Sequence, residues 1–493
     1  MSLSRDLFAT KSVDRLRADA ENETGLKRAL TAVDLVMLGI GAIIGTGIFV
    51  LTGRAAAANA GPAVALSFIT AGIASAFAGL CYSEMASMIP ISGSAYTYSY
   101  ATMGELVAWI IGWDLILEYL VAASAVSVGW SGYVVAFVHD AFGVDLPKAW
   151  VSAPVLWNEK LQHFELTGAV VNLPAVLVVL AITWLLVTGV KESARFNSVI
   201  VVMKVTVVLL FIAFAARFVR TENWHPFVPP NEGTFGRYGA SGILQGATMV
   251  FFAYIGFDAV STAAQETRNP QRDLPIGILV SLAICTVLYI AVSLILTGVV
   301  PYQKLNVPHP MAVGVEATGQ LWLATAVEIG AIAGLSSVML VMLLGQPRIF
   351  FAMAHDGLFP QIAAKVHPRY GTPYITTIIT GVVCAVCGGV LPIDILAELT
   401  SIGTLFAFVL VSIGVMILRI KRPEIPRAFK APGGPYLVPL LGAITSGLLM
   451  YTATTATIIR LFGWMALGLV IYFAYGRKHS RLRAERADEK VVS

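Results

Sequence analysis

Twelve long runs of apolar residues dominate this chain, and they dictate a fold built for lipid rather than water. They fall near 34–56, 62–89, 105–138, 171–190, 194–217, 243–264, 275–300, 322–354, 374–391, 394–419, 436–456 and 459–475. Each is close to the ~20 residues that a helical bilayer crossing needs. In hydrocarbon a segment must satisfy its own backbone N–H and C=O groups, which selects helices here. Charged residues make up 13% of the 493, against ~25% in an ordinary soluble domain. The expectation is an all-α integral membrane protein of about twelve transmembrane helices, numbered spans 1 to 12 in chain order.

The polar segments set the orientation. Residues 1–33 lack the short apolar core of a leader and read as a cytoplasmic N-terminal segment, with a solvated helix near 12–21. With that end inside, the cytoplasmic segments collect Lys11, Lys27, Lys191, Arg268, Arg348, Arg419 and the basic tail at 476–493. The outer loops hold few cations, among them Arg54, Lys148, Arg237 and Lys304. The bias predicts both termini in the cytoplasm and explains the net charge of +4 without a nucleic-acid surface. Cys81, Cys285, Cys384 and Cys387 all lie in apolar runs with no histidine nearby, so they read as small buried residues rather than metal ligands. No catalytic Ser/His/Asp set, phosphate loop or metal cluster emerges, and neither an enzyme nor a cofactor or metal is expected.

Span 1 contains Gly39-Ile-Gly-Ala-Ile-Ile-Gly-Thr-Gly-Ile-Phe49. Each glycine costs a helix interior up to about 1 kcal/mol relative to alanine. The spacing does not match a dinucleotide fingerprint, and no strand precedes it. Close helix packing through Gly41-x-x-x-Gly45 is one reading. A broken helix is the other. Its first half would end in free carbonyls that suit an ammonium, and its second half would begin with free N–H groups that suit a carboxylate. An α-amino acid carries both groups on one carbon. Five spans later, Phe251-Phe-Ala-Tyr-Ile-Gly-Phe-Asp258 interrupts span 6 in the same manner. Paired interruptions point to a transporter made of two inverted repeats. The repeats would cover 34–217 and 238–420, leaving 436–475 as two additional spans.

Ionisable residues inside spans are functional candidates. Glu118 lies four residues after Asp114 in span 3, Lys204 is near the middle of span 5, and Asp258 follows the span 6 interruption. Lys204, Glu118 and Asp258 are all candidate proton carriers. A permanent ion pair between Lys204 and Glu118 is the structural alternative. Glu328, Asp394 and Glu398 lie toward outer ends and read as solvated or structural. Segments 265–276 and 347–360 read as capped, charged turns.

Together these segments resemble the amino acid–polyamine–organocation superfamily, in particular its cationic amino acid transporter branch in bacterial twelve-span form. The resemblance rests on Gly39 to Phe49, Glu105 to Trp113, Gly189 to Ala194, Phe252 to Asp258 with the turn from Glu266 to Pro275, and Arg348 to Pro360. It implies a LeuT-like 5+5 inverted repeat with broken helices 1 and 6. It also implies a substrate cradle from Ile43, Gly45, Thr46 and Gly47, with Ala122 from span 3 and Phe252, Ile255 and Gly256 from span 6. Lys204 matches a lysine that stands in place of sodium, with Ser336 or Ser337 as its partner. Met342 departs from the family pattern, since vertebrate members carry a smaller serine there; its bulk disfavours arginine and lysine. Asp258, also a candidate substrate contact, keeps a cationic substrate open. The outer loop 139–170 has no cysteine for linking a heavy chain.

The resulting expectation is a proton-coupled L-amino acid symporter of the plasma membrane, for a small neutral or a cationic substrate. An exchanger on the same fold and a non-transporting sensor are the alternatives.

Overall fold

In a computed structural model, residues 7–12, 29–89, 94–158, 163–188 and 194–485 are described. The Gly189 to Ser193 part of one signature, the expected helix near 12–21 and the end of the tail fall outside these. Among the described residues the regular structure is helical except for one hairpin and an isolated bridge between Leu30 and Thr267. Eight helical stretches are long and apolar enough to cross a membrane, and four apolar helices are shorter. The chain is an all-α membrane protein.

Span 1 starts at Ala32, where Thr31 and Asp34 cap each other: each side chain accepts from the other's backbone N–H. Its helix stops at Ile43 and resumes at Gly47, running through wide π turns to Ala60. Span 6 runs from Gly239 to Tyr254, stops, and resumes for one turn at Ala259–Thr262. The other long helices are Val64–Met88 (span 2), Ala194–Ala215 (span 5), Pro270–Val299 (span 7), Leu321–His355 (span 8) and Ile393–Lys421 (span 10). Span 3 is continuous from Glu105 to Phe142 but widens into a π turn over Leu117–Val121. The shorter helices Leu173–Val187 and Tyr374–Val390 are spans 4 and 9. Leu437–Tyr451 and Thr455–Ile471 are spans 11 and 12.

Three pairs of helices five apart in sequence are neighbours in space. Span 7 packs on span 2, span 8 on span 3, and span 9 on span 4. Small residues permit these approaches: a methyl on Gly381 of span 9 would meet the Thr183 hydroxyl of span 4 at 2.0 Å. Span 2 is also held to span 10 by charge. Buried Glu84 pairs with Arg419 and Arg427 and accepts from the Ala431 N–H. A carboxylate in an interior is tolerated when it is paired and hydrogen-bonded in this way.

Two readings need correction. The segments at 265–276 and 347–360 are not simple turns. Span 7 already begins at Pro270, and Asn269 offers no side-chain cap. Span 8 continues through Pro347 to His355. In the outer loop, Trp157 lies in a small antiparallel hairpin of β1 (Val155–Asn158) and β2 (His163–Leu166). Its ring meets Phe164 edge-on, and the Arg460 guanidinium lies over it at 4.7 Å.

Candidate functional site

The two interruptions meet. Ile44 leaves the helix with extended backbone (φ −73°, ψ 99°), and Ile255 does the same (φ −63°, ψ 136°). Gly256 follows at φ +114°, a left-handed conformation that favours glycine. A methyl on Gly256 would sit 3.0 Å from the Ala42 backbone, and one on Gly47 would sit 2.2 Å from the Ala253 Cβ. Each interruption thus supplies a glycine against which the other packs. Gly39 makes the same allowance for Ser281 of span 7, and Gly45 for Val338 of span 8.

An α-helix that ends inside a protein leaves carbonyls without intrahelical partners. Span 5 supplies the missing donor. The Lys204 ammonium donates to the Gly41 carbonyl at 2.6 Å, the Ile44 carbonyl at 2.9 Å and the Ser337 hydroxyl at 3.1 Å. These give an acceptor to each of its three N–H groups. The positive charge also lies at the negative end of the first half-helix. Lys204 is fully buried. Ser336, the neighbouring candidate, accepts instead from the Trp130 indole at 2.9 Å.

The other half of the interruption is less satisfied. The Thr46 hydroxyl is buried and has no hydrogen-bond partner among the described residues. The helix that starts at Gly47 presents first-turn amides without helical acceptors. Opposite, the Tyr289 hydroxyl of span 7 lies 2.8 Å from both the Ile43 and the Ala253 carbonyls. Phe252, Ile255, Ala122 and Met342 are all buried around this region. Ala122 is two turns from Gly129, whose face of span 3 meets Thr46 and Val50. Met342 is one turn beyond Val338 on the face of span 8 that meets Lys204 at Gly334 and Tyr119 at Gly345.

Beyond the second interruption is a carboxyl pair. Asp258 accepts from the Tyr119 hydroxyl at 3.0 Å and the Ser94 hydroxyl at 3.3 Å. Glu118 lies beside it, and neither of its oxygens accepts from a donor among the described residues. Both carboxyls are buried. Neighbours on a regular helix do not face one target, yet Glu118 and Tyr119 both address Asp258. The π turn that holds them makes this possible, and such turns recur at functional sites. Glu118 therefore belongs to a carboxyl cluster with Asp258 and Asp114, while the described hydrogen bonds of the Lys204 ammonium go to span 1 and Ser337.

Sequence reasoning missed Tyr119, Ser94 and Tyr289. Tyr119 had a signal in its position next to Glu118; Tyr289 is only one hydroxyl in a long apolar helix. Asp394, read as solvated or structural, accepts from Arg54 at 3.0 Å and ties span 10 to the second half of span 1. The pair borders a cavity of about 280 Å³ that also reaches Thr248 and Glu398.

The amino acid permease family profile matches residues 30–472. A branched-chain amino acid permease of Bacillus subtilis, BcaP, is 51% identical over 97% of this chain and 99% of its own length. A methylthioribose transporter of the same bacterium is 47% identical with the same coverage. A vacuolar cationic amino acid transporter of Arabidopsis thaliana is 38% identical over 84% of this chain and 66% of its own. Matched from the cap of span 1 into the last apolar helix, this chain belongs to the amino acid permease family and is a membrane transporter, not an enzyme.

Proposed function

We propose that the protein is a proton-coupled symporter that moves a neutral L-amino acid across the plasma membrane by alternating access. The single observation that carries this reading is the meeting of two interrupted helices, with a lysine ammonium on the carbonyl end of the first. A fixed cation there does the work that a bound sodium ion would do in a LeuT-like site, so transport needs another coupling ion. The architecture proposed is twelve spans with a 5+5 inverted repeat and both termini cytoplasmic. The packing of span 2 on 7, 3 on 8 and 4 on 9 supports the repeat, because elements near a pseudo-two-fold axis touch their own counterparts. The bias of lysine and arginine supports the orientation.

The substrate's ammonium is assigned to carbonyls at Ile43, Phe252 and Ile255, and its carboxylate to the amides and hydroxyl at Gly45, Thr46 and Gly47. Ala122, Phe252, Gly256 and Met342 bound its side chain. The proton is assigned to the Glu118–Asp258 pair, since two buried neighbouring carboxyls hold a proton more readily than they carry two charges. Lys204 remains a permanent charge. Asp258 is already engaged by Tyr119 and Ser94, which leaves it a poor counter-ion for arginine or lysine. That engagement and the bulk of Met342 favour a neutral aliphatic substrate, in keeping with the name of the Bacillus relative.

The test is uptake into empty proteoliposomes with acid outside. Labelled leucine or alanine should accumulate, and a protonophore should abolish the accumulation. Uptake only after internal loading would mean an exchanger, and binding without uptake a sensor. Competition by methylthioribose alone, with no amino acid effective, would overturn the substrate assignment. Glu118→Gln should keep substrate exchange but lose acid-driven accumulation; unchanged pH dependence would remove the pair from coupling. Met342→Ser should raise competition by arginine by about tenfold, the scale of one or two methylenes in an apolar pocket. An unaltered arginine profile would refute the size argument.

A further inference from the structure

We infer that the outer face carries a binding site for a hard divalent cation, built from Asp140, Glu316 and Glu328. These residues come from the end of span 3, the end of the helix Pro310–Glu316 and the first part of span 8. One carboxylate oxygen of each lies within 4.8 Å of the other two. Ligand oxygens 2.3–2.6 Å from a calcium ion are separated by up to roughly 5 Å, so a single ion reaches all three.

Acidic groups often gather at a surface with no ion, and the feature that separates this cluster is Glu328. It is fully buried, and neither of its oxygens accepts from a donor among the described residues. A position near the end of span 8 made it appear solvated from sequence, but it is enclosed. The groups it faces within 4.8 Å are the Asp140 and Glu316 carboxylates, both acceptors. A buried carboxyl aimed only at carboxyls is met either by a proton or by a cation, and the three converging oxygens provide the geometry for a cation. The histidines nearby do not fill the role. His139 pairs with Asp145 at 2.9 Å, and the buried Nδ1 of His309 has no hydrogen-bond partner among the described residues. An all-oxygen set of three carboxylates selects calcium, magnesium or manganese over softer metals.

The site has a mechanical role. The helix Pro310–Glu316 sits on the second half of span 1, where a methyl on Gly53 would meet Pro310 at 2.3 Å, and the segment before it sits on span 3 at Gly132. A cation joining Glu316 to Asp140 and Glu328 fastens this helix over the outer end of the broken span. The ion thereby stabilises the conformation in which the outer path is covered. This part rests on the proposed orientation and alternating access, whereas binding itself does not.

Binding is therefore tested without transport. The full chain is purified in detergent, stripped with chelator and titrated with Ca²⁺, with NaCl at matched ionic strength as control, and thermal unfolding is followed. Bound Mn²⁺ is counted separately by electron paramagnetic resonance. The expected result is a saturable rise of several degrees in Tm with Ca²⁺ and one Mn²⁺ per chain. Glu328→Gln should lose both. Asp140→Asn, at an exposed position that folding tolerates, should weaken both at least tenfold. A Ca²⁺ response no larger than that of NaCl would overturn the site, as would a full response retained in Asp140→Asn. Failure here leaves acid-driven uptake untouched, and failure of acid-driven uptake leaves the Ca²⁺ titration untouched.

Discussion

Lys204→Met should reduce acid-driven uptake to the level of empty liposomes. The ammonium donates to the Gly41 and Ile44 carbonyls at the end of a half-helix and to Ser337 of span 8. Methionine keeps the length and the apolar stem but supplies no donor. Two buried carbonyls then lack their partner, at about 1–3 kcal/mol each, and the joint between spans 1, 5 and 8 is lost. The measurement is initial uptake with acid outside, alongside thermal unfolding of the purified variant. A variant that accumulates substrate normally would show that the ammonium is dispensable. Added sodium offers a second readout: if the lysine takes the place of an ion, the methionine variant should regain part of its Tm in high NaCl, while the parent protein should not. Equal responses in both would sink the ion-replacement argument even if transport is lost.

Gly47→Ala should also abolish transport, for a steric reason. Its new methyl would lie 2.2 Å from the Ala253 Cβ and 2.3 Å from the Ala253 Cα. Backbone cannot swing aside as a side-chain tip does, so spans 1 and 6 must separate where they form the cradle. Overpacking of this kind costs about 1–3 kcal/mol, and the displaced amides no longer converge on a carboxylate. Gly447 in span 11 is the control, because nothing lies within 4 Å of an added methyl there. Gly447→Ala should leave uptake unchanged and keep or slightly raise Tm, as alanine is the better helix former. Similar activity in the two alanine variants would show that the crossing of the interruptions tolerates change.

Helices and interruptions were legible because they depend on local chemistry. Apolar runs long enough to cross a bilayer become helices in any surroundings, and a cluster of four glycines around Thr46 weakens a helix wherever it falls. The same reasoning located the second interruption at Gly256. It did not show which way side chains point. A helix that is apolar all round has no periodic pattern to mark its inner face, so Ser336 and Ser337 were indistinguishable until tertiary packing turned Ser337 toward Lys204. The π turn at Leu117–Val121 changes the register of span 3, and no residue pattern announces it. Glu328 appeared solvated because distance along a helix measures depth only when nothing folds over the end.

The Tyr289 hydroxyl has one proton and stands 2.8 Å from two carbonyls, those of Ile43 and Ala253. It can satisfy only one at a time. One proton therefore serves two oxygens on two different broken helices, and the two compete for it. On the proposed reading, an arriving ammonium ends this ambiguity, because it brings spare protons to a place that is one short. Recognition then includes the settling of a bond the protein cannot settle alone, and a ligand without N–H donors forgoes that gain however well its side chain fits.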